Sequence, residues 1–76
     1  MQEKKELTIE LSRAARGLLN WTVKDLADAA GVNADTILRW ENGRNQPRAE
    51  TLARLQSAFE KHGVVFFDDG SLKREA

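Results

Sequence analysis

The sequence predicts a mainly α-helical fold, in which four short helices form a bundle and a short β-strand or hairpin follows. Apolar residues recur at helical spacing in four stretches that glycine, asparagine and proline separate, and the β-branched and aromatic run Val64 to Phe67 follows the last stretch. A chain of 76 residues suffices for one domain. We therefore expect a single domain, 1–76, with a flexible amino-terminal segment at 1–7, a helical bundle at 8–62 and a strand segment at 64–74.

The first two helices are predicted from periodicity and capping residues. The first runs from Thr8 to Leu19, and its apolar side is expected to comprise Leu7, Leu11, Ala14, Ala15, Leu18 and Leu19. The second helix spans 23–30. Thr22 and Asp25 have the spacing of a capping box, in which each side chain accepts a hydrogen bond from the backbone amide of the other residue.

The turn residues after position 30 predict where the remaining helices begin and end. Gly31 suits the left-handed conformation that ends the second helix, and Asn33 suits the N-cap of a third helix at 34–41. A polar loop at 42–47 follows. Pro47 at its end is expected in the first turn of the fourth helix, where a missing amide costs nothing.

Composition excludes several classes of protein. The chain has no cysteine and no tyrosine, and His62 is its only histidine, so disulfides and zinc sites are excluded. No acidic residue is placed to orient His62, so we expect neither an enzyme nor a cofactor. No apolar stretch approaches the roughly 20 residues of a transmembrane helix. We expect a cytoplasmic protein with no membrane partner and no small-molecule ligand.

Residues 23–42 have the pattern of two short helices that cross closely, which is a helix-turn-helix. Gly31 permits the sharp turn, and Ala27 is small where the second helix passes over the first. The shared apolar seam is expected to comprise Leu26, Ala30, Val32, Ile37 and Trp40. On the third helix, helical spacing directs Asp35, Leu38, Arg39 and Asn42 to the side opposite Ile37 and Trp40.

Residues 21–44, WTVKDLADAAGVNADTILRWENGR, resemble the helix-turn-helix of the Cro and phage-repressor type, also called the xenobiotic-response-element or lambda-repressor-like family. The run from Ile37 to Gly43 is its most characteristic part, and Pro47, Thr51, Leu52 and Leu55 extend the resemblance, so that it covers 8–62. The resemblance implies a bacterial or phage transcription regulator built as a bundle of four or five helices. Strands in place of a fifth helix depart from the family pattern.

The resemblance makes the third helix the recognition helix, which lies in the major groove of double-stranded DNA. Arg39 is the candidate for reading guanine, because its planar guanidinium can bond both acceptors of the guanine edge. Asp35 is expected to accept from a cytosine amino group or to hold Arg39, and Ala34 or Thr36 to touch a thymine methyl. The spacing of Asp35 and Arg39 is also that of an ordinary surface ion pair, and the two interpretations are compatible.

Basic residues concentrate around the motif. Residues 13–48 carry six basic and four acidic side chains, a net charge of +2, whereas the rest of the chain carries six basic and eight acidic side chains, a net charge of −2. The expected phosphate contacts are Thr22, Val23, Lys24, Asn33, Asn42, Arg44 and Arg48. By resemblance, Arg16 and Glu41 are expected to form a structural ion pair that ties the recognition helix to the bundle.

The strand segment suggests self-association. Val64, Val65, Phe66 and Phe67 cannot all be buried on one strand face of a small bundle, so the strand is expected to be sandwiched or to pair with a second chain. We expect a homodimer, most simply a repressor, that places two recognition helices about 34 Å apart on an inverted repeat. The alternative is a protein-binding adaptor or antitoxin-type module, which suits a net charge of zero and would use the strand as its docking edge.

Overall fold

The computed structural model describes residues 6–75 and contains four α-helices followed by an antiparallel hairpin. The elements are α1 (Ile9–Leu19), α2 (Val23–Ala30), α3 (Ala34–Glu41), α4 (Ala49–Lys61), β1 (Val64–Phe66) and β2 (Leu72–Arg74). The predicted mainly α fold with a carboxy-terminal hairpin is confirmed. Most of the segment expected to be flexible, 1–5 of 1–7, lies outside the described residues. Within 6–75, no helix has the length and apolar content that crossing a membrane requires.

Side-chain caps determine where the first three helices begin. Thr8 caps α1. Thr22 and Asp25 form the predicted capping box at α2, with hydrogen bonds of 3.1 Å to the Asp25 amide and 2.9 Å to the Thr22 amide. Asn33 caps α3, because its Oδ1 accepts from the amide of Asp35 at 2.7 Å. Each cap satisfies an amide that the helix itself leaves without an acceptor.

The start of α4 differs from the prediction. Ala49 is the first helical residue, and Arg48 is an N-cap that makes no side-chain cap hydrogen bond. Pro47 therefore lies two residues before the helix, and its predicted place in the first turn is wrong. The reason is the backbone of Arg48, whose ψ of 156° is extended, so the chain turns into the helix only after that residue.

The core lies where the four helices and β1 meet. Its largest side chains are Trp40 and Phe59, which are 2% and 0% exposed. Leu26 and Ile37 of the predicted seam are fully buried, whereas Ala30 and Val32 pack at the margin of the core. The complete buried apolar set is Leu7, Ala15, Leu19, Leu26, Ala27, Ile37, Trp40, Leu52, Leu55, Ala58, Phe59 and Val64.

The first helix buries most of the side that its apolar pattern predicts, because Leu7, Ala15 and Leu19 are in the core and Leu11 packs against it. Ser12 and Ala15 are fully buried, whereas Ala14 is exposed and Leu18 is 37% exposed. Leu7, the last residue of the segment expected to be flexible, is also buried. The physical reason for the burial of Ser12 lies in α3, because α1 turns Ser12 inward to bind the last side chain of that helix, as described below.

The strand segment finds its partner within the same chain. β1 pairs antiparallel with β2 in the register Val64↔Arg74, Val65↔Lys73 and Phe66↔Leu72. β2 thus occupies one edge of β1, as the predicted hairpin requires, and only the other edge is left for a second chain. Closing a short turn costs little chain entropy, which favours this local pairing. Phe67 lies beyond β1 and is 44% exposed.

Two further hydrogen bonds hold the hairpin in place, one within it and one to α1. The amide of Glu75 donates to the carbonyl of Gly63 at 2.7 Å, which closes the open end of the hairpin. Arg74 donates from Nη1 to the carbonyl of Leu18 at 3.2 Å, so β2 is joined to the end of α1. The hairpin therefore lies against α1, at the other end of the chain.

Candidate nucleic-acid interface

The recognition helix α3 has one packed side and one open side. Ile37 and Trp40 are buried, as helical spacing predicts. The four residues expected on the opposite side are all exposed: Asp35, Leu38, Arg39 and Asn42. The outer side of α3 is therefore accessible to a partner.

Asp35 and Arg39 form an ion pair on this open side. Arg39 Nε lies 3.1 Å from Asp35 Oδ2, and the two side chains are 64% and 66% exposed. Among the described residues the Arg39 guanidinium has no other partner, so its two terminal amino groups stay available. Exposed pairs at this spacing stabilise a helix by only about 0.2 to 0.5 kcal/mol, so a stronger ligand can open this one.

The other two predicted base-reading residues are less accessible. Ala34 and Thr36 are half-buried. Leu38, which we expected on the outer side without giving it a role, is the most exposed large apolar residue of 6–75, at 49%. The apolar part of the open surface is therefore centred on a leucine.

The start of α2 presents backbone amides to solvent. The capping box uses the amides of Thr22 and Asp25, which leaves those of Val23 and Lys24, the first two of the helix, without an intrahelical acceptor. Amides at a helix start attract anions such as phosphate. The ammonium of Lys24 is exposed and pairs with Asp28 at 3.2 Å, so a phosphate must compete with Asp28 for it.

A tight turn at the end of α3 places a basic side chain next to the helix. Gly43 has φ +77°, its amide donates to the carbonyl of Trp40 at 2.9 Å, and the amide of Arg44 donates to that of Arg39 at 2.8 Å. These two bonds constitute a Schellman motif, which needs a residue that tolerates positive φ. Asn42 and Arg44 are both exposed here.

Two of the predicted phosphate contacts fit this arrangement less well. Arg48 is exposed at the start of α4, on the far side of the 42–47 loop. The side-chain oxygen of Asn33 accepts from the amide of Asp35, and its side-chain amino group can donate to a phosphate.

The carboxylate of Glu41, the last residue of α3, accepts three hydrogen bonds. Arg16 donates from Nε to Oε2 at 3.1 Å and from Nη2 to Oε1 at 2.6 Å, and Ser12 donates from Oγ to Oε2 at 2.7 Å. The Glu41 side chain is only 3% exposed. A buried carboxylate is tolerated only when such charge-assisted bonds replace its hydration, and a two-pronged arginine contact does this best.

The same arginine reaches the start of α2. Arg16 donates from Nη1 to the carbonyl of Trp21, the residue before the capping box, at 3.2 Å. One guanidinium thus joins the end of α3 to the start of α2, where three of the seven predicted phosphate contacts lie. The relative position of the two helix ends depends on this side chain.

Sequence reasoning identified Arg16 and Glu41 but missed two neighbours. Ser12 bonds the Glu41 carboxylate, and Arg13 donates from Nη2 to the Glu41 backbone carbonyl at 3.1 Å. Ser12 and Arg13 precede Arg16 by four and three residues, so helical spacing places all three near one side of α1. That spacing was a usable signal, although it does not show that α3 ends opposite them.

Comparison with known proteins agrees with this geometry. A family model described as helix-turn-helix matches residues 13–66, which is more than half of the chain and reaches from α1 to β1. No curated protein matches the chain. The matched family consists of DNA-binding regulatory domains and is not a family of enzymes. The chain therefore belongs to the Cro and phage-repressor type of helix-turn-helix proteins, which are DNA-binding transcription regulators.

Proposed function

We propose that this protein is a sequence-specific repressor that binds an inverted repeat of double-stranded DNA as a homodimer in the cytoplasm. The observation that carries the proposal is the way in which α3 is packed on one side and exposed on the other. Its outer side is open, its inner side is packed through Ile37 and Trp40, and its last residue is held by buried hydrogen bonds. A helix that must enter a groove in one orientation needs this combination of rigid support and free surface.

Arg39 is the proposed base-reading residue, with guanine as its target. Its two free amino groups can bond O6 and N7 of guanine, a contact that discriminates against other bases by about 1 to 3 kcal/mol. The exposed ion pair with Asp35 contributes only about 0.2 to 0.5 kcal/mol, so the contact of Arg39 with guanine is the more favourable of the two. Asp35 then accepts from a neighbouring cytosine amino group or steadies the remaining donors of Arg39.

The proposed phosphate contacts flank α3. The free amides of Val23 and Lys24 receive one phosphate at the start of α2, and Arg44 with Asn42 receives another beyond the end of α3. Arg16 supports this proposal, because it bonds both helix ends and so sets the spacing of the two contacts. Since the net charge is zero, attraction must come from these local groups and not from the overall field.

The proposed dimer forms through the hairpin region. Val64 is 1% exposed and belongs to the core, so the contact narrows to Val65 and Phe66, which are half-buried, and Phe67, which is 44% exposed. Because β2 already occupies one edge of β1, side chains and not that strand edge form the proposed contact. Two subunits double the contacts that one eight-residue helix makes, which matters for a chain without net positive charge.

Selection of binding sites from random duplexes at a stated salt concentration tests this proposal. We expect an enriched inverted repeat and an affinity that falls steeply as salt rises. Arg39→Ala should lose the preference at one base pair of each half-site. Arg54→Ala is the matched control, because Arg54 forms the same type of exposed ion pair with Glu50, at 3.5 Å, on α4. Absence of enrichment together with salt-independent behaviour contradicts the proposal and favours a protein-binding adaptor.

A further inference from the structure

We propose that Leu38 is a specificity-determining residue that contacts the 5-methyl group of a thymine in the major groove. The inference rests on the proposed function, because it takes α3 as the helix that enters the groove. It adds an apolar base-reading residue to the polar residues Arg39 and Asp35, with a different base as its target.

The first argument is the exposure of Leu38. At 49% it is more exposed than Leu18, at 37%, or Phe67, at 44%, the other large apolar residues that stand out among 6–75. Its neighbour Ile37 is 0% exposed, so α3 already has the apolar residue that the core needs. Single exposed leucines are common on protein surfaces, so exposure alone does not assign a role to Leu38, and its position on α3 is needed as well.

That position is on the open side of α3, about halfway along its length. Leu38 lies one helical turn after Asp35 and one turn before Asn42, and it is adjacent in sequence to Arg39. All three of these neighbours are hydrogen-bonding side chains. Leu38 and Arg39 are both exposed on this side of α3, so a groove that receives Arg39 also receives Leu38.

The chemistry of the groove selects the target. Donors and acceptors line the major-groove edges of all four bases, and the thymine methyl is the apolar group among them. Leucine can neither donate nor accept a hydrogen bond, so contact with any other edge would bury a polar group without a partner. Ala34 and Thr36, our earlier candidates for this contact, are half-buried and have shorter side chains.

Replacing thymine with deoxyuridine tests the inference, because this change removes only the methyl group. The selected duplex is prepared with deoxyuridine at one thymine position after another, in both half-sites together. Affinity is measured by fluorescence anisotropy at one salt concentration for the unchanged protein, for Leu38→Ala and for Leu18→Ala. Leu18→Ala is the matched control, since Leu18 is also an exposed leucine but lies at the end of α1, where its carbonyl is bonded to Arg74.

We expect deoxyuridine at one thymine position to weaken the affinity of the unchanged protein about fourfold per half-site. This factor corresponds to about 0.8 kcal/mol per buried methyl group. Leu18→Ala should keep this sensitivity, and Leu38→Ala should lose it while still binding the duplex. Alanine favours the helix, so Leu38→Ala is expected to fold. This inference alone is overturned if no deoxyuridine position changes the affinity of the unchanged protein. It is also overturned if Leu38→Ala loses affinity at the same position as the unchanged protein. A chain that selects no duplex at all overturns the proposed function as well.

Discussion

Arg16 of α1 and Glu41 of α3 are joined by two hydrogen bonds, 3.1 and 2.6 Å long, where the Glu41 side chain is only 3% exposed. The pair connects residues that are 25 positions apart and fixes the end of the recognition helix. Taking both charges out of water is costly, so its net contribution to folding is smaller than the contacts suggest. The contribution of the Arg16–Glu41 pair to stability is measured more directly when one partner is removed.

Arg16→Ala should destabilise the protein by about 3 to 5 kcal/mol, because the Glu41 carboxylate stays buried without its main partner. A domain of this size has only about 4 to 11 kcal/mol in total, at roughly 0.05 to 0.15 kcal/mol per residue. Urea denaturation followed by circular dichroism measures the change.

Two further variants separate the causes of this loss. Arg16→Lys keeps the charge but cannot make the two parallel bonds, so it should lie between the native protein and Arg16→Ala. Arg54→Ala removes an exposed pair and should cost only about 0.3 to 0.5 kcal/mol. Equal losses for Arg16→Ala and Arg54→Ala would show that the buried pair has no special role.

Gly63→Ala should destabilise the hairpin more than Gly70→Ala does. Both glycines have positive φ, +94° and +89°, where a β-carbon costs about 1 to 2 kcal/mol. Only at Gly63 would the new carbon meet a backbone atom, the carbonyl oxygen of Glu75 at 2.9 Å. Relieving that clash weakens the hydrogen bond between Glu75 and Gly63, a further loss of about 0.5 to 1.5 kcal/mol. Thermal unfolding of both variants measures the difference, and equal losses contradict this account.

Arg44→Ala should weaken DNA binding by a similar factor on all sequences, because Arg44 is proposed to contact phosphate and not a base. The slope of log K against log salt should fall by about 0.9 for each phosphate contact removed. Titrations at several salt concentrations measure the slope, with Arg54→Ala as the basic-residue control. A change of sequence preference in Arg44→Ala would instead assign it to base reading.

Phe67→Ser should shift the protein from dimer to monomer with little effect on the stability of the subunit. Phe67 is 44% exposed, and substitutions at exposed positions usually change stability by about 0.5 kcal/mol or less. Sedimentation equilibrium at micromolar concentration measures the mass, against 8.6 kDa for one chain. Leu38→Ser is the control, because Leu38 is equally apolar but lies on α3. If the unchanged protein sediments as a monomer under the same conditions, the proposed dimer is contradicted.

The helices of this protein were predictable because their signals are local. The capping box of Thr22 and Asp25, the cap at Asn33 and the turn glycine at position 31 each act within a few residues, and the structure has them as predicted. The exposed side of α3 was predictable for the same reason, since Ile37 and Trp40 determine which way the helix faces. The prediction of Pro47 was wrong because the conformation of Arg48 is not a local signal of this kind.

The sequence by itself therefore determined the four helices, the turn between α2 and α3 and the residues that α3 exposes, because these follow from hydrogen bonds and apolar spacing within single segments. Only the tertiary structure decided that Ser12 and Arg13 join Arg16 around Glu41 and that β2 lies between β1 and α1. These contacts join distant parts of the chain. Their energies appear only when packing brings the partners together, and no periodicity within one segment encodes that.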